Sequence, residues 1–162
     1  MAAVYLGLGS NIEPEKNLRL AIRELKSRYG DLLVSSVYKS TAIGFDGADF
    51  LNLVVGMKSD STPLDICREI ELIHNVAGRV RDDNKWGSRP LDIDLLLYDN
   101  QVISERPVRV PRDDILEYSF VLRPLAEIAP DLKHPVTGKT MLEHWTEFDE
   151  ARHPLERAGF SL

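Results

Sequence analysis

The strongest constraint on this chain is a pair of helical stripes, each entered at a proline and left at a glycine, set among short strand-forming runs. Leu18, Ile22, Leu25 and Tyr29 recur at helical spacing after Pro14. A proline suits the first helical turn, where its missing N–H has no partner to lose, and Gly30 supplies the stop. Leu64, Cys67, Ile70, Ile73 and Ala77 repeat the pattern after Ser61-Thr62-Pro63, a cap followed by a proline, and Gly78 closes it. Around these helices, Val4 to Leu8, Leu32 to Tyr38, Phe50 to Met57 and Leu91 to Tyr98 read as strands. The order β-α-β-β-α-β predicts an α+β fold with a ferredoxin-like (split βαβ) antiparallel sheet and helices packed on one side. A further helix is expected from about Phe120 to Ile128, broken by Ala129-Pro130, and a weaker one near Met141 to Phe148. Gly7-x-Gly9 lacks a third glycine and reads as turn geometry between strand and helix.

The chain has 162 residues with no repeat or linker, which predicts a single domain over 1–162. Two polar excursions, at 40–49 and 79–90, are long enough to be functional loops. A net charge of −6 argues against a general nucleic-acid binder, because such proteins release counterions with excess Lys and Arg. A small phosphorylated ligand needs only a local field, so the acidic balance does not exclude one. Cys67 has no second cysteine to pair with and reads as a packed thiol in a reducing cytoplasm. The N-terminal Met1-Ala2-Ala3-Val4-Tyr5 has no basic leader and no run is long enough to span a membrane, so neither secretion nor a membrane partner is expected.

The chemistry concentrates between Gly78 and Asp94. In Leu91-Asp92-Ile93-Asp94 the two carboxylates stand two apart on a strand, so they project from one face. Like charges that close repel, and a cation between them removes the penalty. Mg2+ is the natural candidate, since it takes one or two carboxylates together with substrate phosphates. A solvated strand face would explain the same pair. Arg79, Arg81 and Arg89 shift the balance, for metal-held carboxylates beside guanidinium forks are what phosphoryl or pyrophosphoryl transfer requires. The constellation points to a nucleotide-dependent transferase.

Six segments carry a family resemblance: LGLGSN (Leu6 to Asn11), SVYKSTAIG (Ser36 to Gly44), FLN (Phe50 to Asn52), GRVR (Gly78 to Arg81), WGSRPLDIDLLLY (Trp86 to Tyr98) and FVLRPLAEIAP (Phe120 to Pro130). Through them the chain resembles the 6-hydroxymethyl-7,8-dihydropterin pyrophosphokinases of folate biosynthesis, over about residues 3–148, leaving 149–162 as a tail. The resemblance implies that MgATP and then the pterin bind, and that the β,γ-pyrophosphoryl unit passes to the pterin hydroxymethyl oxygen, leaving AMP. Asp92 and Asp94 would hold two Mg2+ ions, with Arg79 and Arg89 closing over the phosphates as catalytic groups. The implied pterin slot is Ser40, Thr41, Ile43, Phe50, Asn52 and Phe120; the implied ATP contacts are Glu71, His74, Arg81, Trp86, Leu95, Arg112 and Tyr118. A flat pterin needs a stacking ring, and its amide-like edge needs the paired donor and acceptor that Asn52 offers. On spacing alone, Phe50 and Phe120 would be ordinary core.

The chain departs from the family pattern at four places, one of them Asp82, which follows Arg81 where some members carry a base. Arg112 stands where a phosphate-binding His is usual, Tyr118 where an Arg is usual, and His74 where the second helix usually carries a Glu five residues before the first loop Arg. His74 could reach the nucleotide, or could simply pair with Glu71 at the helix end. His134, His144 and His153 show no ligand spacing. Those departures keep open a paralogue that binds pterin or nucleotide with little turnover, and the fold class keeps open an RNA-binding module. The expected partners are small molecules, and the expected state is a cytoplasmic monomer, with a dimer as the alternative.

Overall fold

In the computed structural model, which describes residues 1–40, 49–78, 90–152 and 154–162, the expected order is realised. The elements are β1 (Ala2–Ser10), α1 (Pro14–Tyr29), β2 (Leu33–Val34), β3 (Tyr38–Ser40), β4 (Phe50–Ser59), α2 (Pro63–Val76), β5 (Asp92–Tyr98), β6 (Ile103–Glu105), β7 (Val108–Val110), α3 (Asp114–Glu117), α4 (Ser119–Ile128), α5 (Met141–Glu147) and β8 (Glu156–Arg157). Among the described residues the main sheet runs β5-β1-β4-β3-β8, with β2 also on β4, and every pairing is antiparallel. The return of β5 beside β1, with β4 on the other flank, is the split βαβ arrangement.

Local chemistry sets the helix ends as the sequence predicts. The Thr62 hydroxyl accepts from the Asp65 amide to cap α2, and Pro14 and Pro63 sit in the first turns. Gly30 leaves α1 at φ 79°, where a side chain would be strained. The buried stripe of α2 is Ile66, Ile70 and Ile73; Leu64, expected inside, is 37% exposed. A period of 3.6 admits both neighbours of the true axis, and the tilt of the helix on the sheet selects between them.

The expectation of helices on one side is corrected. Leu6, Leu8, Leu53, Val55, Ile93 and Leu95 meet α1 and α2, whereas Val54, Leu96 and Leu97 form a second core with α3, α4 and α5 on the opposite face. A bulge makes this arrangement work. The register passes from Tyr5↔Leu97 to Leu6↔Leu95, so Leu96 is an extra residue and both Leu96 and Leu97 enter the second core. The run Leu32 to Tyr38 forms two short strands rather than one, and β6, β7, α3 and β8 are additions that the sequence reading lacked.

The second core seats α4, the helix that carries Phe120. Leu122 is fully buried there. Leu122→Ala is therefore expected to cost about 2–5 kcal/mol, read as a lower midpoint in urea with the slope unchanged.

Candidate active site

The sheet register assembles one row of groups across the face that α4 shares. Gly9 pairs with Asn52 on one side and with Asp92 on the other, and Asn52 pairs in turn with Tyr38. The neighbouring row is Asp94, Gly7 and Val54. Ser40 pairs with Phe50 one step along. Because alternate residues share a face, Asp92, Asp94, Gly7, Gly9, Asn52, Phe50 and Ser40 lie on the same side of the sheet. The carboxylates and the Asn52 amide are thus two strand spacings apart, about 10 Å between backbones.

Both glycines lie within β1, which corrects the reading of Gly7-x-Gly9 as a turn; the Leu96 side chain covers Gly7 and the Asn52 amide covers Gly9. A Cβ on Gly9 would stand 2.7 Å from Asn52 Oδ1, inside contact distance. Asn52 is held from the far side, for its Nδ2 donates to Ser40 Oγ at 3.0 Å and both residues are buried. The amide therefore lies across Gly9. The signal for this was present in the sequence, in a glycine two residues before Asn11, but only the pairing of β1 with β4 gives it meaning.

Asp92 and Asp94 are both half-buried. The Arg112 guanidinium reaches Asp94 Oδ1 at 3.7 Å and Asp114 Oδ1 at 3.6 Å, and its backbone amide donates to the Leu96 carbonyl at 3.0 Å. Burial works against the Arg112 charge, but Asp94, Asp114 and Asp92 outweigh it and raise the pKa above the ordinary arginine value. Its Nε is buried without a hydrogen-bond partner among the described residues, so the guanidinium keeps donor capacity. Asp114 is a site residue that sequence reasoning missed, although it lies two positions from Arg112.

The remaining expected residues divide. Phe120 is half-buried and stacks on Tyr118 with centroids 5.0 Å apart and planes at 21°, so the residue that replaces the usual arginine backs the aromatic face. His74 is 2% exposed; its Nδ1 faces Glu71 Oε1 at 3.3 Å and its Nε2 accepts from the Ile93 amide at 2.9 Å. Leu95 is buried in the α1/α2 core, which leaves only its backbone for any ligand contact. Cys67 is half-buried and its thiol is pushed up by burial and then by Glu71, which keeps it protonated at neutral pH. Thr41, Ile43, Arg79, Arg81, Trp86 and Arg89 lie outside the described residues. At the edge of that second segment, Ser10 Oγ donates to the Pro90 carbonyl and ties the chain to the end of β1.

The carboxylate pair suits one metal and few others. Among the described residues no group of three or more His, Cys, Asp or Glu side chains is placed to hold an ion. Asp92 and Asp94 offer hard oxygens from one strand face, and a guanidinium already leans on Asp94. Such a set fits Mg2+, whose coordination is completed by water and phosphate oxygens, and does not fit a closed structural zinc site.

Fold and site together give an α+β sheet on which paired carboxylates and a guanidinium lie on the face that also carries stacked aromatic rings. The profile of the family 7,8-dihydro-6-hydroxymethylpterin-pyrophosphokinase (HPPK) matches residues 5–130. Among curated relatives, the 2-amino-4-hydroxy-6-hydroxymethyldihydropteridine pyrophosphokinase of Aquifex aeolicus is 37% identical, over 88% of this chain and 90% of its own. The enzyme of the same name from Haemophilus influenzae is 38% identical, over 83% and 86%. The wild-type HPPK-DHPS crystal structure from Plasmodium falciparum superposes with a TM-score of 0.72 at 14% identity, covering 90% of this chain and 44% of that one, so the chain spans less than half of that longer protein. That likeness concerns the fold. The chain belongs to the 7,8-dihydro-6-hydroxymethylpterin-pyrophosphokinase family.

Proposed function

We propose that the chain transfers the pyrophosphoryl group of ATP to the hydroxymethyl oxygen of 6-hydroxymethyl-7,8-dihydropterin, giving the pterin diphosphate and AMP. One observation supports this reading best: two carboxylates and a guanidinium stand on the same sheet face as a buried, pre-oriented amide. Phosphate chemistry and flat-heterocycle recognition are thereby adjacent.

In this mechanism the pterin hydroxyl attacks the β-phosphorus, the bond from that phosphorus to the oxygen bridging the α-phosphate breaks, AMP leaves with the electron pair, and the hydroxyl proton is released to water. Asn52 supplies donor and acceptor to the pterin edge, held by Ser40, while Phe50 and Phe120 offer ring faces. Thr41 and Ile43 complete the slot through their backbones. Asp92 and Asp94 would hold the Mg2+ ions, which would supply neutralisation of the polyphosphate charge. Asp94 lies nearer the attacking hydroxyl. Arg79 and Arg89 close on the phosphates, and Arg81, Trp86, Glu71, Leu95 and Tyr118 border the nucleotide. Arg112 contributes a permanent, forked cation where an imidazole would titrate. Positioning and electrostatics carry the rate, so no covalent enzyme intermediate forms. The catalytic unit is 1–162, a cytoplasmic monomer whose partners are small molecules.

The test is direct. ATP, Mg2+ and the hydroxymethyl-dihydropterin, mixed with the protein, should yield AMP and pterin diphosphate in equal amounts, and chelation should stop it. Formation of ADP, or no nucleotide product at all, would overturn the reading.

A further inference from the structure

β5 is the outer strand of the sheet among the described residues, bounded by β1 on one side only. An antiparallel strand turns successive N–H groups to opposite edges, so one edge of β5 needs acceptors from elsewhere. Ile93 lies between Asp92 and Asp94, and its amide turns away from β1 to donate to His74 Nε2 at 2.9 Å. The imidazole that accepts it is 2% exposed and is steadied by Glu71 Oε1 at 3.3 Å from Nδ1. An acceptor at Nε2 places the ring proton on Nδ1, directed at that carboxylate. Behind the imidazole stands a rigid element, for α2 is capped by Thr62 and buries Ile66, Ile70 and Ile73. Ile93 is therefore gripped twice, by its side chain in the α1/α2 core and by its amide at the strand edge.

We infer that His74 is a positioning residue for the paired carboxylates, a strut from α2 that fixes the peptide between Asp92 and Asp94 and so sets their spacing for the cation. The inference rests on the metal role proposed above and adds a residue that touches neither phosphate nor metal to perform it. A nucleotide contact through its ring nitrogens would compete with both of these bonds. What the position demands is a buried acceptor of the right reach, which a Gln carbonyl can supply and a Leu of similar bulk cannot.

The test compares His74→Gln and His74→Leu in the full chain. Mn2+ serves as the paramagnetic stand-in for Mg2+, titrated by EPR with a nonhydrolysable ATP analogue present, and kcat and the pterin KM are measured in parallel. Loss of an orienting partner commonly weakens metal binding roughly 10–100-fold. His74→Leu is expected to lose at least about tenfold in Mn2+ affinity and in kcat, with pterin KM within about twofold, and His74→Gln to recover most of both. A folded His74→Leu with native Mn2+ affinity and kcat overturns the proposal, and so does a His74→Gln as impaired as His74→Leu. Should His74→Leu not fold, the native protein still decides: nitrogen NMR must find the His74 proton on Nδ1 and the Ile93 amide protected, and a proton on Nε2 overturns the proposal. Asp94→Ala is the control for the metal reading. Native Mn2+ affinity in Asp94→Ala defeats that reading, whereas a crippled Asp94→Ala beside a native-like His74→Leu defeats only the strut.

Discussion

Asp94→Ala is expected to abolish pyrophosphoryl transfer, by on the order of a thousandfold or more, while the chain keeps its fold. The two halves of that expectation have separate causes. For activity, the carboxylate is proposed to hold the cation nearest the attacking hydroxyl, and Asp92 alone leaves one anchoring group on the strand face. For stability, the side chain is half-buried and pairs with Arg112 at 3.7 Å, a distance at which an ion pair is worth about 0–1 kcal/mol. Removing Asp94 also relieves its repulsion with Asp92 on the same face. A thermal melt and single-turnover AMP release check both halves together. Activity above a few per cent of native, in a folded variant, would sink the metal-site assignment.

The second large effect is expected at Asn52. Asn52→Ala removes a buried amide that Ser40 holds in place, and should raise the pterin KM by roughly 30–100-fold, the equivalent of about 2–3 kcal/mol for lost hydrogen bonds to a recognised edge. The KM for ATP should stay within about twofold, because the amide sits two strand spacings from Asp92. Gly9→Ala provides a second route to the same result. Its new Cβ would meet Asn52 Oδ1 at 2.7 Å, so the amide must leave Ser40 or β1 must shift. A smaller rise in the same constant is the expected outcome. If Asn52→Ala changed the ATP constant as strongly as the pterin constant, the pterin slot would be misplaced.

The sequence was most legible where chemistry is local. Pro14, Gly30, Thr62 and Pro63 mark helix ends because caps and stops act within one turn. The pairing of Asp92 with Asp94 was readable because a strand has period two, and the structure keeps both on one face. Leu64 and Ile66 show the limit: both fit a helical stripe, and only the docking of α2 on the sheet decides that Ile66 is inside. The placement of α4 and α5 was less legible still. Their apolar stripes say that each must cover something, but not which face of the sheet, and the bulge at Leu96 that feeds the second core leaves no periodic trace strong enough to predict.

The residues by themselves determined the chemical inventory: paired carboxylates, forked cations, an amide, aromatic rings, and the order of helices and strands that would carry them. Each depends on side-chain type or on spacing within a few residues. Tertiary structure decided the relations. It laid Gly9 between Asp92 and Asn52, turned Arg112 toward Asp94, put Tyr118 behind Phe120, and brought a histidine from α2 to the amide between the two carboxylates. Apart from the Tyr118–Phe120 pair, those relations join residues 18 to 83 positions apart, and no local periodicity reaches so far. They follow from strand register and from which face each helix buries, and both are settled only when the whole core packs.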